Sequence, residues 1–380
     1  MSTRVLVLGA GAVGRELLTQ LASRRGASAE LSVCGVIDRS GVVFDANGLS
    51  GDAIADLCSH KARGGSLATA RRGRTAGPAA SMDIVTASGL DDAIVVDATA
   101  ADTSGLLQTA LANGFDAVLA NKIPLSARQA DVDRLYATAH RHRRRILYEA
   151  TVGAGLPVID TLRKLLDSGD EVLSVEGCPS GTLGFLFGEL QRGRCFSDAL
   201  GDAIAAGYTE PDPRVDLSGL DVARKALILG RQIGFRGEIE DVSVESLVPA
   251  EFRECSRDEF VRRAPELNEA FDERVRRATD ARRLLRYRAH VTSTQISVGI
   301  AEVAASDSLG SLSGTDNQFT FTTARYGDRK LVITGPGAGT SVTASGIQSD
   351  LLRIVAEGRR PAGPPRRRSA LPDLRKPPGE

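Results

Sequence analysis

Arg4-Val5-Leu6-Val7-Leu8-Gly9-Ala10-Gly11-Ala12-Val13-Gly14 decides how the rest of this chain is read. Residues 5–8 are an apolar run with β-branched members, as a strand buried on both faces needs. G-x-G-x-x-G follows at once, and Leu17, Leu18 and Leu21 then recur at helical spacing. Strand, glycine turn and helix in that order are the setting in which such a turn binds a dinucleotide. Gly9 permits the tight turn, Gly11 lets a pyrophosphate approach the backbone, and Gly14 lets helix and strand pack closely. The amides at the helix start, from Ala12 and Val13 onward, point at the phosphates.

Outward from this motif the pattern alternates between strand and helix. A strand over 31–37 ends at Asp38, whose carboxylate suits the ribose hydroxyls of NAD. Arg39 and Ser40 follow and suit a 2′-phosphate instead, so NADP and NAD both stay open, NADP slightly ahead. Strands over 94–99 and 117–120 deliver Thr99, Asn121 and Lys122 to the carboxyl edge of the sheet, where ligands gather. Residues 104–113 read as a helix capped by Gly114. Residues 128–145 read as a helix whose basic last turn suits the macrodipole, so 140–145 is expected to be a solvated helix end. The Gly-, Ala- and Arg-rich stretch 63–80 reads as exposed linker.

Composition bounds the answer. A chain of 380 residues is too long for one compact core and implies two domains. Lys+Arg and Asp+Glu are 48 each, so no overall field draws nucleic acid or an anionic membrane. Five cysteines without metal-ligand spacing suit a reducing cytoplasm. No signal peptide is recognised, and no apolar run is long enough to span a bilayer. None of the four histidines has a Cys or His partner at ligand spacing.

Two further stretches carry chemistry. Residues 146–157 run from a buried-looking strand through a glycine-rich bend into a helix entered at Pro157. Such a bend serves as a domain hinge, or its carbonyls hold a monovalent cation with Glu149 offsetting the charge. Residues 207–225 pack Glu210, Asp212, Asp216 and Asp221 around two prolines, ahead of Lys225 and an apolar run over 226–229. Asp221 and Lys225 share one helix face. An i,i+4 pair is commonly only a surface ion pair worth a few tenths of a kcal/mol. Here a stiff loop of carboxylates leads into it, a setting suited to holding an ammonium and moving a proton.

The chain resembles homoserine dehydrogenase over nearly all of residues 1–358. The resemblance rests on the glycine motif, Ala120-Asn121-Lys122, 149–157, Ser180-Gly181-Thr182-Leu183, 207–225, Gly314-Thr315-Asp316-Asn317 and Gly335-Pro336-Gly337-Ala338-Gly339. It implies interconversion of L-homoserine and L-aspartate 4-semialdehyde, with a place in threonine and methionine synthesis. Lys225 is then the proton donor, with Asp221 beside it and Lys122 between coenzyme and substrate. Glu210 binds the substrate amino group, and Gly181, Thr182, Tyr208 and Asp216 line the same pocket. Gly207, Gly337 and Gly339 touch the coenzyme. Glu149 and the carbonyls of Val152, Ala154 and Leu156 correspond to a sodium or potassium site.

The expected architecture is α/β. A Rossmann-type doubly wound parallel sheet occupies 1–149, and an α+β catalytic and dimerisation domain with a mixed sheet occupies 150–335. A helix within 336–358 returns to the first domain, and a disordered Arg/Pro-rich tail follows over 359–380. Strands are expected over 172–175, 319–325 and 331–334, a strand-rich stretch over 286–304, and helices from 184–189 and over 341–356. A homodimer is expected, with outer strands pairing across it. No sensing or kinase domain is fused to the stretch read here, and 304–309 lacks the His-Pro-Leu usual in the family. Two rival readings remain: an acylating semialdehyde dehydrogenase using Cys178 as nucleophile, and a non-catalytic dinucleotide-sensing module. Cys178 has no local histidine to serve as base, so a buried thiol fits it better.

Overall fold

The computed structural model describes residues 2–23 and 30–358. The expected tail at 359–380 lies outside the described residues. The first sheet holds β1 (Thr3–Leu8), β2 (Leu31–Asp38), β3 (Gly41–Phe44), β4 (Gly73–Arg74), β5 (Ile94–Asp97), β6 (Asp116–Leu119) and β7 (Ile146–Leu147). Their order is β4-β3-β2-β1-β5-β6-β7. β2, β1, β5, β6 and β7 run parallel, while β3 and β4 extend the β2 edge antiparallel. Successive residues of β1 feed opposite faces. Leu6 and Leu8 join one core cluster, and Val5 and Val7 join another. That two-sided burial is why the strand reads as an unbroken apolar run.

The second sheet holds β8 (Val172–Cys178), β9 (Ser243–Val244), β10 (Arg283–Val291), β11 (Ile296–Ala304), β12 (Asp316–Thr323) and β13 (Leu331–Pro336). Its order is β13-β12-β8-β10-β11-β9, antiparallel except where β9 meets β11. Helices Gly181–Gln191, Leu220–Gln232 and Asn268–Asp280 pack on β10. The Thr340–Gly358 helix leaves this sheet and lies against the Ala12–Ala22 helix. There Ala344, Ile347, Leu351 and Ile354 share a core with Leu17, Leu18 and Leu21.

Two stretches differ from their sequence reading. Residues 63–80 are not simply linker: Gly73–Arg74 pairs with β3, and Leu67 is fully buried in a short 3-10 turn. A two-residue strand leaves no periodicity to detect. The helix expected over 128–145 spans Gln129–Arg141 and stops short of Arg143, which takes φ 55°. Arg144 and Arg145 are not a solvated helix end. Arg144 pairs with Asp92 at 2.7 Å, and Arg145 pairs with Asp116 at 2.5 Å while donating to the Ile354 carbonyl.

Candidate active site

The glycine turn has the geometry its sequence called for. Gly9 takes φ 96°, and a Cβ there would meet the Ala98 carbonyl at 2.9 Å. A Cβ on Gly14 would meet the Gly9 carbonyl oxygen at 2.0 Å, so helix and turn touch through bare backbone. Gly11 has nothing within 4 Å of its Cβ position, which leaves open space where a pyrophosphate would approach. The helix Ala12–Ala22 starts from this open side with no side chain capping it. These residues fit a dinucleotide.

At the end of β2, Asp38 is already engaged. Its Oδ2 meets Lys61 Nζ at 2.7 Å, and its Oδ1 accepts the Ser40 amide at 2.7 Å. Burial pushes this carboxyl up, but Lys61 and Ser40 outweigh it and hold it below its usual range. Lys61 went unnoticed in the sequence because it comes from the far end of the Gly51–Ala62 helix.

The other half of the site forms at the ends of β5 and β6. Asp97 closes β5, fully buried, and gathers its neighbours. It accepts from the Thr99 amide at 3.0 Å, the Thr99 hydroxyl at 2.7 Å, Asn121 Nδ2 at 3.0 Å and the Thr103 hydroxyl. Burial pushes the Asp97 carboxyl up against these hydrogen bonds. The network fixes Thr99 and Asn121, and through them the approach to Lys122. Sequence reading missed Asp97, although an acid ending an apolar strand was its signal.

Lys122 faces the second domain across a cleft of about 1040 Å³. Thr99, Lys122, Glu210, Asp216 and Asp221 line it. Asp221 stands on the first turn of the Leu220–Gln232 helix, whose other face buries Val222, Ala223, Ala226, Leu227 and Leu229. Its Oδ1 lies 3.2 Å from Lys122 Nζ and its Oδ2 lies 2.8 Å from Lys225 Nζ. Lys225 Nζ also donates to the Pro179 carbonyl at 2.6 Å, and its side chain is only 12% exposed. Burial pushes Asp221 up, but Lys225 and then Lys122 outweigh it and hold the carboxyl far below its usual range. Lys122 is itself lowered, first by burial; Lys225 and Arg224 add to this, and Asp221 opposes it. Two ammonium groups from two domains thus share one carboxylate, leaving one positive charge of the trio unmatched within it.

Lys225, Gly181, Thr182 and Tyr208 do not line the cleft; Asp221 links Lys225 to it, and Asp216 links Thr182, which also meets the Tyr208 carbonyl. Thr182 Oγ1 lies 2.5 Å from the Tyr208 carbonyl and 3.0 Å from Asp216 Oδ1, and Asp216 Oδ2 accepts the Glu210 amide at 2.8 Å. The Tyr208 ring packs edge-on against Phe185. Asp216 therefore braces the loop that presents Glu210. Arg214 braces it from the other side, binding Asp212 at 2.6 Å and the Cys255 carbonyl at 2.6 Å. Arg214, Arg224 and Arg253 also line the cleft, and sequence reading gave them no role. Gly207 takes φ 71° just past the Phe196–Ala205 helix. A Cβ on Gly337 would collide with Asn317, so that glycine is needed for packing as it stands.

In the 149–157 bend, Glu149 is buried and accepts the amides of Ile159 and Asp160 at 2.8 and 2.7 Å. It thereby caps the Val158–Asp167 helix, and burial pushes its carboxyl up to about 7. Ala154 takes φ 56°, and the Leu156 carbonyl accepts the Val158 amide at 2.8 Å. Among the described residues no backbone amide meets the carbonyls of Val152 or Ala154, so this bend retains acceptors suited to a cation. Cys178 is 3% exposed and burial pushes its thiol up to about 12, which is unsuited to a nucleophile. Among the described residues no three His, Cys, Asp or Glu side chains cluster to hold a metal ion, and no helix is long and apolar enough to cross a membrane.

Comparison with known proteins converges on one family. The homoserine dehydrogenase family model matches residues 157–352, and the model of its NAD-binding domain matches residues 9–149. The chain is 47% identical over 210 residues to the chloroplastic bifunctional aspartokinase/homoserine dehydrogenase 1 of Zea mays, covering 54% of this chain and 23% of that protein. It is 34% identical over 357 residues to the bifunctional aspartokinase/homoserine dehydrogenase of Haemophilus influenzae, covering 92% and 42%. The chain thus spans less than half the length of these curated relatives. A hyperthermophilic archaeal homoserine dehydrogenase solved in complex with NADPH superposes with a TM-score of 0.73 at 25% identity, covering 94% of this chain and 98% of that one.

Proposed function

The chain belongs to the homoserine dehydrogenase family, and we propose that it interconverts L-homoserine and L-aspartate 4-semialdehyde, within threonine and methionine synthesis. One observation carries the reading: Asp221 held at 3.2 and 2.8 Å between Lys122 and Lys225 at a cleft between the two sheets. When bound, a nicotinamide coenzyme would supply the hydride in the reducing direction and take it in the other. Reduction of the aldehyde carbon leaves an alkoxide, which wants a cation and then a proton. Lys225 Nζ donates that proton, and in the oxidising direction accepts it from the hydroxyl. Asp221 aims Lys225 and keeps both lysines in place. Lys122 adds the second positive charge. Glu210, presented by Asp216, receives the substrate ammonium at the other end of the cleft. Asp97, through Thr99 and Asn121, fixes the nicotinamide side.

The Asp38–Lys61 pair favours NADP over NAD. An aspartate already neutralised by lysine no longer repels a 2′-phosphate, and Arg39 and Ser40 stand beside it. The carbonyls of Val152, Ala154 and Leu156 would hold a sodium or potassium ion, with Glu149 lending charge. A homodimer is supported by Leu173 and Val332, large apolar side chains left exposed on the second sheet. Gel filtration at twice the 40.0 kDa chain mass would support it, and elution at that mass would refute it. The functional test is direct. Protein mixed with L-homoserine and NADP or NAD at alkaline pH should generate reduced-nicotinamide absorbance. Tight coenzyme binding without turnover of homoserine would leave only the dinucleotide-sensing reading.

A further inference from the structure

A second cleft, of about 980 Å³, lies where the two domains meet at the far end of the catalytic helix. The Leu220–Gln232 helix links the two clefts: Asp221 and Arg224 face the first, and Ile228, Arg231 and Gln232 face the second. Arg141, Arg145 and Arg353 line it from the nucleotide domain and its returning helix. Arg163, Arg231 and Arg236 line it from the second domain. The carboxylates on the same wall are Asp133 and Glu357.

Three of these arginines are accounted for by the fold. Arg145 pairs with Asp116 at 2.5 Å, Arg231 with Glu238 at 3.1 Å, and Arg353 with Asp160 and Glu357. Arg141, Arg163 and Arg236 enter no ion pair among the described residues. A second, separate feature points the same way. The Arg231 side chain is 6% exposed, yet its Nε has no hydrogen-bond acceptor. Buried donors are nearly always satisfied, and this one sits beside the cleft on a guanidinium otherwise held by the Leu125 carbonyl and Glu238, with one orphan acceptor, Gln129 Oε1, on the same wall. Arg163 acts on the buried Asp350 without pairing with it, and cations left without ion pairs on both sides of a domain junction repel one another unless an anion lies between them.

We propose that this cleft is a binding site for a small polyanion, a phosphate ester or a polycarboxylate, separate from the catalytic cleft. Guanidinium groups match both chemistries through paired N–H donors. A ligand there ties the Gln129–Arg141 and Thr340–Gly358 helices to the Val158–Asp167 and Leu220–Gln232 helices.

The test is isothermal calorimetry on the NADPH-saturated enzyme, which keeps the coenzyme site closed to the probe. Sodium pyrophosphate and sodium citrate are titrated separately at fixed ionic strength. One equivalent of either should bind, and the double variant Arg163→Gln/Arg236→Gln should bind at least tenfold more weakly. Arg141→Gln alone should cost about threefold. None of these side chains makes an ion pair or lines the catalytic cleft, so the variants should keep the parent's turnover of homoserine, and Arg141→Gln, which acts on no buried carboxylate, should also melt with it. Tighter pyrophosphate assigns the site to phosphate esters, and tighter citrate to polycarboxylates. No heat with either anion, or a titration unchanged in the double variant, overturns the proposal.

Discussion

Two aspartates in this molecule meet lysine at nearly the same distance, and only one of them has the surroundings a reactive centre needs. Asp38 meets Lys61 at 2.7 Å, with side chains 14% and 15% exposed, one carboxylate to one ammonium. Asp221 meets Lys225 at 2.8 Å and Lys122 at 3.2 Å, one carboxylate to two ammonium groups, and is itself 44% exposed. The first pair cancels. The second leaves one positive charge unmatched, beside a cleft. What separates a neutral anchor from the proposed proton-transfer centre is therefore the ratio of charges and where the excess points, not the strength of one contact. The second lysine arrives from the other domain, so the surplus exists only once both domains are folded.

The harshest way to break this contrast is Lys225→Met. Turnover of homoserine should fall by roughly 10²–10⁴-fold, the usual contribution of a positioned proton donor. Coenzyme affinity by calorimetry should stay within about twofold. Equal loss of both would make Lys225 a structural residue like Lys61. Next comes Glu210→Gln, which removes the charge proposed to receive the substrate ammonium. KM for homoserine should rise on the order of 10–100-fold, from the ~1.5–3 kcal/mol of a hydrogen bond to a charged group. A KM unchanged by that exchange removes Glu210 from the substrate site.

Gentler exchanges sharpen the comparison. Lys61→Ala unmasks Asp38, and kcat/KM should shift toward NAD over NADP by about tenfold, near 1.4 kcal/mol. No shift in that ratio would detach Lys61 from coenzyme choice. Smallest is the cation: replacing sodium or potassium by choline at equal ionic strength should lower the melting temperature by a few degrees, since an ion bound only to the folded state stabilises it by mass action. An identical melting curve in choline would leave the 149–157 bend as a hinge alone.

The residues legible in sequence were those whose task is local. Gly9, Gly11 and Gly14 serve a single turn, and their spacing declares it. Asp221 and Lys225 sit one helical turn apart and could be paired by counting. Lys122 and Asp221 could not be paired that way, because nothing along the chain records that two domains close on each other; the family resemblance put both in one site, and the pair itself appears only in the structure. Asp97 is hard to single out because an acid at a strand end looks like the start of a turn, and the donor that ties it to the site, Asn121, lies 24 residues on, past the next strand. Arg144 and Arg145 were misjudged for a related reason. A basic helix end suggests solvent until Asp92 and Asp116 are seen beside it. Cys178 was read as buried, and its burial follows from the central strand it ends.

The last described helix carries a consequence for how the chain is made. Gln20 Nε2 donates to the Ser341 carbonyl, a contact between residues 321 apart. The apolar stripe of Leu17, Leu18 and Leu21 is sealed by Ala344 and Ile347 of that distant segment. At a synthesis rate of roughly 5–20 residues per second, the stripe leaves the ribosome on the order of 15–60 s before its seal exists. The domain that begins first is thus completed last, and its half-finished surface is where a nascent chain of this protein would most need a chaperone.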